Sequence, residues 1–587
     1  MCGIAGFCDY HRDFTAEPEY WQSILVAQRM AVRRRGGDGA GEYLCENAGL
    51  AHARLAIRDP ALGIQPMVRT VEGAEFAVCY NGEIYNTDEI RPALEKVGYG
   101  FQTTSDTEVL LFAYIHYGID FVNRLNGIFA FAIWDGRNRC LFLARDRLGV
   151  KPLFYTLQNE ALVFGSEPKA LFAHPRIKPK ITLESLREVF AVGPARTSGC
   201  GVFSGVFELK PGTTAVFDRS GFRSSRYWEL ESRPHTSGYE ETREHVSWLV
   251  RDAVTRQMVS DVPVCSFLSG GIDSSIVTAV ASGYLAEKGG RMNTFSFDFK
   301  GNDRYFQSSS FQPRRDRPFV EEMLAEYPLN HSFLECSETE LADLLYESTK
   351  AKDLPGMADV DASLLYFCSV VGQHNKVVLT GECADEIFGG YPWFYREALL
   401  NTDGFPWSND YRARAVLLKD ELVNKLNMKE YAYEKYRETL AAVPRLEGED
   451  TQNARRREIT YLNIVWFMQT LLTRMDRTSM YSGLEARVPF ADHRIAEYLW
   501  NVPWEYKMQN GIEKKLLRDA CANLLPDGIL NRKKSPYPKT YNPNYERLLK
   551  EKLLALINGK TAPILELIDE KKARSFLETP SEYGKPW

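Results

Sequence analysis

Apolar residues fall in short, strand-sized bursts through the first third of the chain and in longer, helix-spaced runs beyond it. Positions 76–80 read as an apolar strand ending at Asn81-Gly82. Positions 128–134 and 140–144 are two apolar runs joined by Asp135-Gly136-Arg137-Asn138, a hairpin signal. A further pair follows at 153–155 and 161–164. Helical spacing appears over 108–117, with Val109, Leu110, Phe112 and Ala113 on one side. Many short strands with few helices predict stacked sheets flanked by helices.

A last hairpin closes this region over 210–228, and the polar, turn-rich 231–238 reads as a linker. The remainder has a different rhythm. A buried-strand run at 263–268 leads through a glycine turn into Ile272, Ile276 and Val280 at four-residue spacing. Second and third strands are predicted at 294–299 and 376–380, and long helical segments at 409–442 and 453–481. Strands alternating with helices predict a parallel α/β sheet with helices added C-terminally. The expected division is two domains, 2–230 and 239–587. The segment 302–317 is polar and aperiodic and reads as a loop insertion.

Composition narrows the function classes. Two large domains suit 587 residues, and a net charge of −6 points to neither nucleic acid nor a membrane surface as partner. The 11 cysteines include no CxxC pair and no Cys/His cluster at zinc-ligand spacing, so they read as free thiols of a reducing compartment. No secretory signal is evident in the first 25 residues, and no apolar stretch nears the ~20 residues of a membrane helix. A cytoplasmic protein is expected.

Candidate chemistry begins at Cys2, in Met1-Cys2-Gly3-Ile4-Ala5-Gly6. Trimming of the initiator methionine would leave one residue with both a thiol and a free α-amine. That amine, with an unperturbed pKa of about 7.7–8.0, can take the proton of its own thiol. A second candidate is Ser269-Gly270-Gly271-Ile272-Asp273-Ser274-Ser275, between a strand and a helix. Its glycines permit a tight turn with inward N–H groups, its serines add donors, and the helix start adds a positive dipole end. This suits a phosphate chain, with Asp273 able to hold Mg²⁺ against phosphate oxygens. It is not a Walker loop, since the chain has no GxxxxGK[ST]. Gly36-Gly37-Asp38-Gly39-Ala40-Gly41 lacks dinucleotide-loop spacing and reads as a flexible turn. A third candidate follows the strand at 376–380: Thr380-Gly381-Glu382-Cys383-Ala384-Asp385-Glu386 carries three carboxylates at a strand's C-terminal end, where open α/β sheets bind ligands. Carboxylates beside a triphosphate imply an intervening Mg²⁺.

The Cys2-Gly3-Ile4 start, Asn81-Gly82-Glu83-Ile84-Tyr85-Asn86, Ser105-Asp106-Thr107-Glu108, the SGGIDSS loop and GECADEIFGGY occur in that order. The ordered set resembles the glutamine-dependent asparagine synthetases over nearly the whole chain. The resemblance implies a four-layer αββα N-terminal-nucleophile hydrolase domain followed by an adenine-nucleotide α-hydrolase-like domain. In the first, Cys2 matches the nucleophile, Asn81 and Gly82 the oxyanion donors, Arg54 the group gripping the glutamine α-carboxylate, and Glu83 and Asp106 the acceptors of its α-ammonium. In the second, Ser269, Gly270, Gly271, Asp273, Ser274 and Ser275 match the pyrophosphate loop. Leu268 and Phe297 match adenine-flanking positions, and Thr380 and Gly381 match nucleotide contacts. Asp273 and Asp385 match Mg²⁺ ligands, Glu382 an acid of adenylate formation, and Lys514 a lysine near the phosphates. The runs 476–480 and 483–490 resemble an active-site wall.

The implied substrates are glutamine, aspartate and ATP, with a homodimer as the usual family state and an internal ammonia tunnel between the sites. Several departures stand out: the family usually reads His-Arg-Gly-Pro-Asp where this chain has Arg34-Arg35-Gly36-Gly37-Asp38, often serine at Thr380, glycine at Cys383 and leucine at Ala491. Two other readings stay open, a related amidotransferase acting on a different acceptor carboxylate and a non-catalytic module with a relic fold. Intact Cys2, Asp273, Glu382 and Asp385 weigh against the second.

Overall fold

A computed structural model describes residues 2–158, 160–308, 312–408 and 410–578. Met1, residues 309–311 of the polar insertion and residues 579–587 of the second predicted domain lie outside them.

Strict alternation organises the first region. Along the strand Gly3–Asp9, Ile4 and Cys8 face one way and Phe7 the other, as a two-residue side-chain period requires. Ile4 and Cys8 meet Leu50, Cys79, Ala130 and Leu143 between two stacked six-stranded sheets. Phe7 instead packs with Trp21 and Leu25 of the helix Pro18–Ala31 on the outside. The first sheet runs Val206–Glu208, Phe154–Gln158, Ala161–Gly165, Gly3–Asp9, Ala48–Arg54, Gly39–Leu44. The second runs Gly221–Arg226, Thr213–Asp218, Cys140–Arg145, Gly127–Asp135, Ala74–Ile84, Met67–Val71. All pairings in both are antiparallel. The helix Asp106–Tyr117 covers the second sheet's outer face over Val78, Tyr80, Phe129 and Phe131. The layers are therefore αββα.

Two local expectations are corrected here. The strand does not end at Asn81-Gly82 but runs from Ala74 to Ile84, with Asn81 opposite Ala130 and Gly82 opposite Phe129. Glycine at 82 reflects close approach, since a Cβ there would lie 2.1 Å from the Ile128 carbonyl oxygen. The glycine-rich 36–41 stretch is a turn only in its first half, because the strand Gly39–Leu44 begins within it.

The second region holds a five-stranded parallel sheet ordered Asn330–Cys336, Asn293–Phe299, Val264–Phe267, Val377–Leu379, Glu485–Arg487. The three central strands match expectation. The edges escaped it because Asn330–Cys336 is half exposed and Glu485–Arg487 is three residues with two charges. The helical stretch expected over 409–442 is broken into Tyr411–Ala415, Asp420–Leu426 and Met428–Ala441, with Asn427 at φ +44° as one break. The stretch over 453–481 is continuous through a π-helical turn at Asn463–Phe467. One apolar cluster spans both regions, from Leu55, Ile57, Tyr85 and Ile128 to Leu268, Ile272 and Val488. Among the described residues no helix is long and apolar enough to cross a membrane, and all 11 cysteines are free.

Candidate active sites

Cys2 sits at the head of the strand Gly3–Asp9, buried where that strand leaves the stacked sheets. Its backbone nitrogen, the α-amine of a trimmed chain, donates to Asn81 Oδ1 at 3.0 Å. That bond fixes the amide orientation of Asn81 and leaves Asn81 Nδ2 buried with no partner. An orphaned donor of this kind is costly unless a ligand oxygen takes it. Burial pushes the Cys2 thiol up, and Arg54 partly offsets this.

Arg54, at the end of the strand Ala48–Arg54, donates to the carbonyls of Pro60 at 2.9 Å, Asp59 at 2.7 Å and Arg58 at 3.3 Å, so it also shapes the loop after it. Asp106 opens its helix and accepts from Tyr80 Oη at 2.9 Å and Ile84 N at 3.0 Å. Glu83 is buried with Oε2 unpartnered, and its pKa is raised well above the ordinary range by burial and the charges of Asp106 and Glu485. The unpartnered Glu83 oxygen suits a cationic group arriving beside it.

In the second region, Ser269 through Ser275 join the strand Val264–Phe267 to the helix Ile272–Ala286. Gly270 has φ +66°, and a Cβ there would lie 2.6 Å from Phe319 Cβ, so the tight turn and close packing both demand glycine. Ser274 Oγ ties the loop, 3.0 Å from Ser269 Oγ and 3.2 Å from Ser269 N. Ser275 Oγ is buried without a partner. Gly381 presses on this loop, since a Cβ there would lie 2.6 Å from Ser274 N. Thr380 N donates to the Arg487 carbonyl at 3.0 Å. Phe297 lines a cleft beside Ser269 together with Asp298, Arg315, Asp316 and Val320. The Leu268 side chain lies in the core under that cleft. Part of the polar insertion thus forms a wall, with Arg315 paired to Asp298 at 2.7 Å.

Lys514 is no surface lysine. Its Nζ lies 2.7 and 2.8 Å from Asp273 Oδ1 and Oδ2 and 2.8 Å from Asp385 Oδ1. Lys534, which sequence reading missed within a basic Arg532-Lys533-Lys534 run, pairs with Asp385 Oδ2. Burial raises Asp385, but Lys514 and Lys534 outweigh it and hold its carboxyl well below the ordinary range. Burial and the charge of Asp385 push Asp273 the other way. Glu382 Oε1 accepts from Arg474 at 2.6 Å, while Oε2 is buried and unpartnered.

Residues 245–587 match the family described as asparagine synthase, and residues 1–228 match the glutamine amidotransferase domain. The chain is 47% identical to asparagine synthetase [glutamine-hydrolyzing] 3 of Bacillus subtilis, over all of this chain and 95% of that protein. It is 30% identical to asparagine synthetase [glutamine-hydrolyzing] 1 of the same organism, over 92% of this chain and 87% of that one. Amidase chyE of Penicillium rubens is 27% identical over 98% of this chain and 94% of its own. This chain belongs to the glutamine-hydrolysing asparagine synthetases.

The departures from the family pattern acquire physical form. Cys383 has φ +78°, the left-handed region that explains glycine elsewhere in the family. The loop at Gly37 is pinned without its proline. Asp38 N donates to the Arg54 carbonyl at 2.9 Å, and Asp38 Oδ2 accepts from Ala56 N and Lys376 Nζ, both at 2.8 Å. Within the run 476–480, Asp476 faces the N-terminal region, while Arg477 pairs with Asp353 at 2.6 Å and lies 3.3 Å from Glu167. Asp476 receives Arg35 at 2.9 and 3.1 Å and Lys151 at 3.2 Å, and Arg35 also donates to the Cys2 carbonyl at 3.1 Å. Arg487 lies 3.5 Å from Glu83. Sequence reading missed Arg35, Lys151 and Arg487, whose partners lie hundreds of residues away.

Proposed function

We propose that this asparagine synthetase moves the amide nitrogen of glutamine onto the β-carboxylate of aspartate, giving asparagine, glutamate, AMP and pyrophosphate through β-aspartyl-AMP. The two predicted units, 2–230 and 239–587, divide the work. The observation that carries the reading is the orphaned Asn81 Nδ2 beside a Cys2 nitrogen held in place by the same side chain.

In the first site Cys2 Sγ attacks the glutamine carboxamide carbon and its proton passes to the α-amine. Asn81 Nδ2 takes the hydrogen bond of the developing oxyanion, a contact typically worth about 10²–10³ in rate. Collapse expels ammonia, and water clears the γ-glutamyl thioester. Arg54 supplies a planar fork for the α-carboxylate, and Glu83 with Asp106 takes the α-ammonium.

In the second site the loop 269–275 presents N–H and hydroxyl donors to the ATP phosphates, and Lys514 and Lys534 supply positive charge beside them. The aspartate β-carboxylate attacks the α-phosphorus and pyrophosphate departs. Ammonia then attacks the activated carbonyl and AMP leaves. Asp273 and Asp385 are the residues that would hold Mg²⁺. Among the described residues no group of three or more His, Cys, Asp or Glu forms a metal cage. A carboxylate pair that shares its coordination with phosphate oxygens and water is the usual Mg²⁺ arrangement, so the donor set fits. Bound there, the ion would neutralise charge on the departing pyrophosphate. Passage of ammonia between the sites belongs to the same reading and rests on the family. Cytoplasmic residence and a homodimer belong to the same reading and rest on the family alone.

Incubation with ¹⁵N-amide glutamine, aspartate and Mg·ATP tests this, with products identified by mass spectrometry. Amide-labelled asparagine and AMP are expected in equal amounts; ADP, or no labelled asparagine, defeats the reading.

A further inference from the structure

The strand Glu485–Arg487 belongs to the second region yet ends against the proposed glutamine site. Arg487 is fully buried, and the proposed reaction gives it no task. Its Nε donates to Glu485 Oε1 at 2.5 Å, and its Nη1 donates to the carbonyls of Gln257 and Val259, both at 2.6 Å. Nη2 is different. It stands 3.5 Å from Glu83 Oε1, just beyond a good hydrogen bond, and has no hydrogen-bond partner. Glu83 Oε2 and the nearby Tyr85 Oη are buried without partners too, with the guanidinium carbon 5.8 Å from the centre of the Tyr85 ring.

The main chain of the same residue serves the other site. Arg487 pairs with Leu379 in the parallel sheet, and its carbonyl accepts from Thr380 N at 3.0 Å and Thr380 Oγ1 at 3.4 Å. Gly381 follows, packed against Ser274 N of the loop 269–275. A second tie runs alongside. Asp261 N donates to the Ile57 carbonyl at 3.1 Å, and Asp59 N donates to Asp261 Oδ2 at 2.7 Å. The loop after Arg54 is thus fastened to 257–261, the segment whose carbonyls hold Arg487. A charge-assisted bond from Nη2 to an ionised Glu83 would shorten the 3.5 Å gap towards 2.7–2.9 Å. The guanidinium has little freedom to do so alone, because Nε and Nη1 are already bonded. Ligands that order one shared element bind cooperatively, since the second finds that ordering already done.

We propose that Arg487 is a positioning residue of the glutamine site supplied by the second region, and that its main chain makes glutamine and the nucleotide tighten each other's binding. The inference rests on the proposed glutamine site at Glu83 and adds a coupling that the reaction itself does not require. The α-ammonium of glutamine holds Glu83 as the carboxylate, Nη2 closes on Oε1, and the carbonyl of Arg487 steadies Thr380-Gly381 against the loop 269–275. A nucleotide steadies the same turn from the other side. By linkage, each ligand changes the other's affinity by the same factor.

Calorimetric titration of the full-length Cys2→Ala protein tests this, because it can hold glutamine without turning it over and no aspartate is supplied. Mg·ATP is titrated with and without saturating glutamine, and glutamine with and without saturating Mg·ATP. Each should tighten the other about 5-fold or more, by equal factors. Adding R487M should bring both factors to one and weaken glutamine alone about 10-fold, as loss of a charged hydrogen bond does, while Mg·ATP alone binds as before. R487K keeps the charge without the fork; it should retain most of the glutamine affinity but little of the coupling, and it decides the matter if R487M misfolds. Hydrogen exchange gives a second reading, with glutamine alone slowing the amides of 377–381 in Cys2→Ala and not in the double variants. Factors of one in Cys2→Ala overturn the coupling with no Arg487 variant needed, and full coupling retained in both R487M and R487K overturns the role of Arg487. Glutamine that binds Glu83→Gln as tightly as the parent defeats the proposed glutamine site, and the inference with it.

Discussion

The two sites are poised in opposite ways. Around Cys2 the groups proposed to react are set by backbone and sheet pairing, and the proposed oxyanion donor, Asn81 Nδ2, is left open. Around the proposed phosphate loop, 269–275, the charged groups are closed on one another, with Lys514 bridging Asp273 and Asp385 and Lys534 capping the latter. The difference follows from the substrates. Glutamine brings a carboxamide with no net charge at the reacting carbon, so a preformed donor in a dry site costs no ion pairing. ATP brings several negative charges, and a site holding free lysines or free carboxylates would carry a heavy desolvation cost until it arrived. Internal ion pairs keep the empty site neutral enough to bury and give way when phosphate oxygens compete for the lysines.

If the two sites are separately built, each should fail alone. Cys2→Ala should abolish glutamine-dependent synthesis by at least about 10⁴-fold, as loss of a nucleophile does, while ammonia-dependent synthesis persists. Lys514→Met should abolish synthesis from either nitrogen source while glutamine hydrolysis persists. Parallel assays of glutaminase and ammonia-driven AMP release decide, and loss of both activities in either variant breaks the comparison. Asn81→Ala sharpens the first half, with kcat for glutamine falling about 10²–10³-fold at nearly constant KM for ATP.

The seam between the sites predicts a third class of effect. Asp476 neutralises Arg35 and Lys151, all buried, and Arg35 holds the Cys2 carbonyl. Asp476→Ala leaves two cations without their shared partner, a loss of roughly 3–5 kcal/mol for a broken buried pair. The expected signature is uncoupling, with more glutamate formed than asparagine. A ratio held at one to one, read by amino-acid analysis, would mean the seam carries no coupling.

Legibility in the sequence tracks how local each part is. Cys2 stands out in the sequence because the chemistry proposed for it depends on chain position alone. The loop 269–275 was readable because strand, turn and helix lie within a few residues. Lys534, Arg35 and Arg487 were not, because each gains meaning only from carboxylates brought near by the fold. The strand through Asn81-Gly82 was misread as a turn for the same reason: the dipeptide signals a hairpin locally, but pairing with Ala130 and Phe129 overrides it. The edge strand Glu485–Arg487 carried no apolar pattern, because its side chains serve the seam, with Arg487 2.5 Å from Glu485 and 3.5 Å from Glu83.

The smallest effect concerns the closed site at rest. Glu386 is buried beside Asp385, its Oε1 2.5 Å from Tyr391 Oη. Burial, reinforced by the charge of Asp385, pushes its carboxyl up to about 8. A carboxyl with a raised folded-state pKa keeps its proton in the native chain while the unfolded chain has lost it. Its contribution to stability is therefore complete below about 4.5 and is lost as pH rises through about 8, at a slope on the order of 1 kcal/mol per pH unit at most. Asp273, also raised, adds a slope of the same sign, so the informative quantity is the difference from Glu386→Gln. That variant, unable to ionise, should lose less stability than wild type between pH 5 and pH 8 in thermal unfolding. Parallel curves for the two proteins would mean that Glu386 is already ionised at neutral pH, and that the second site is less completely neutralised than its lysines suggest.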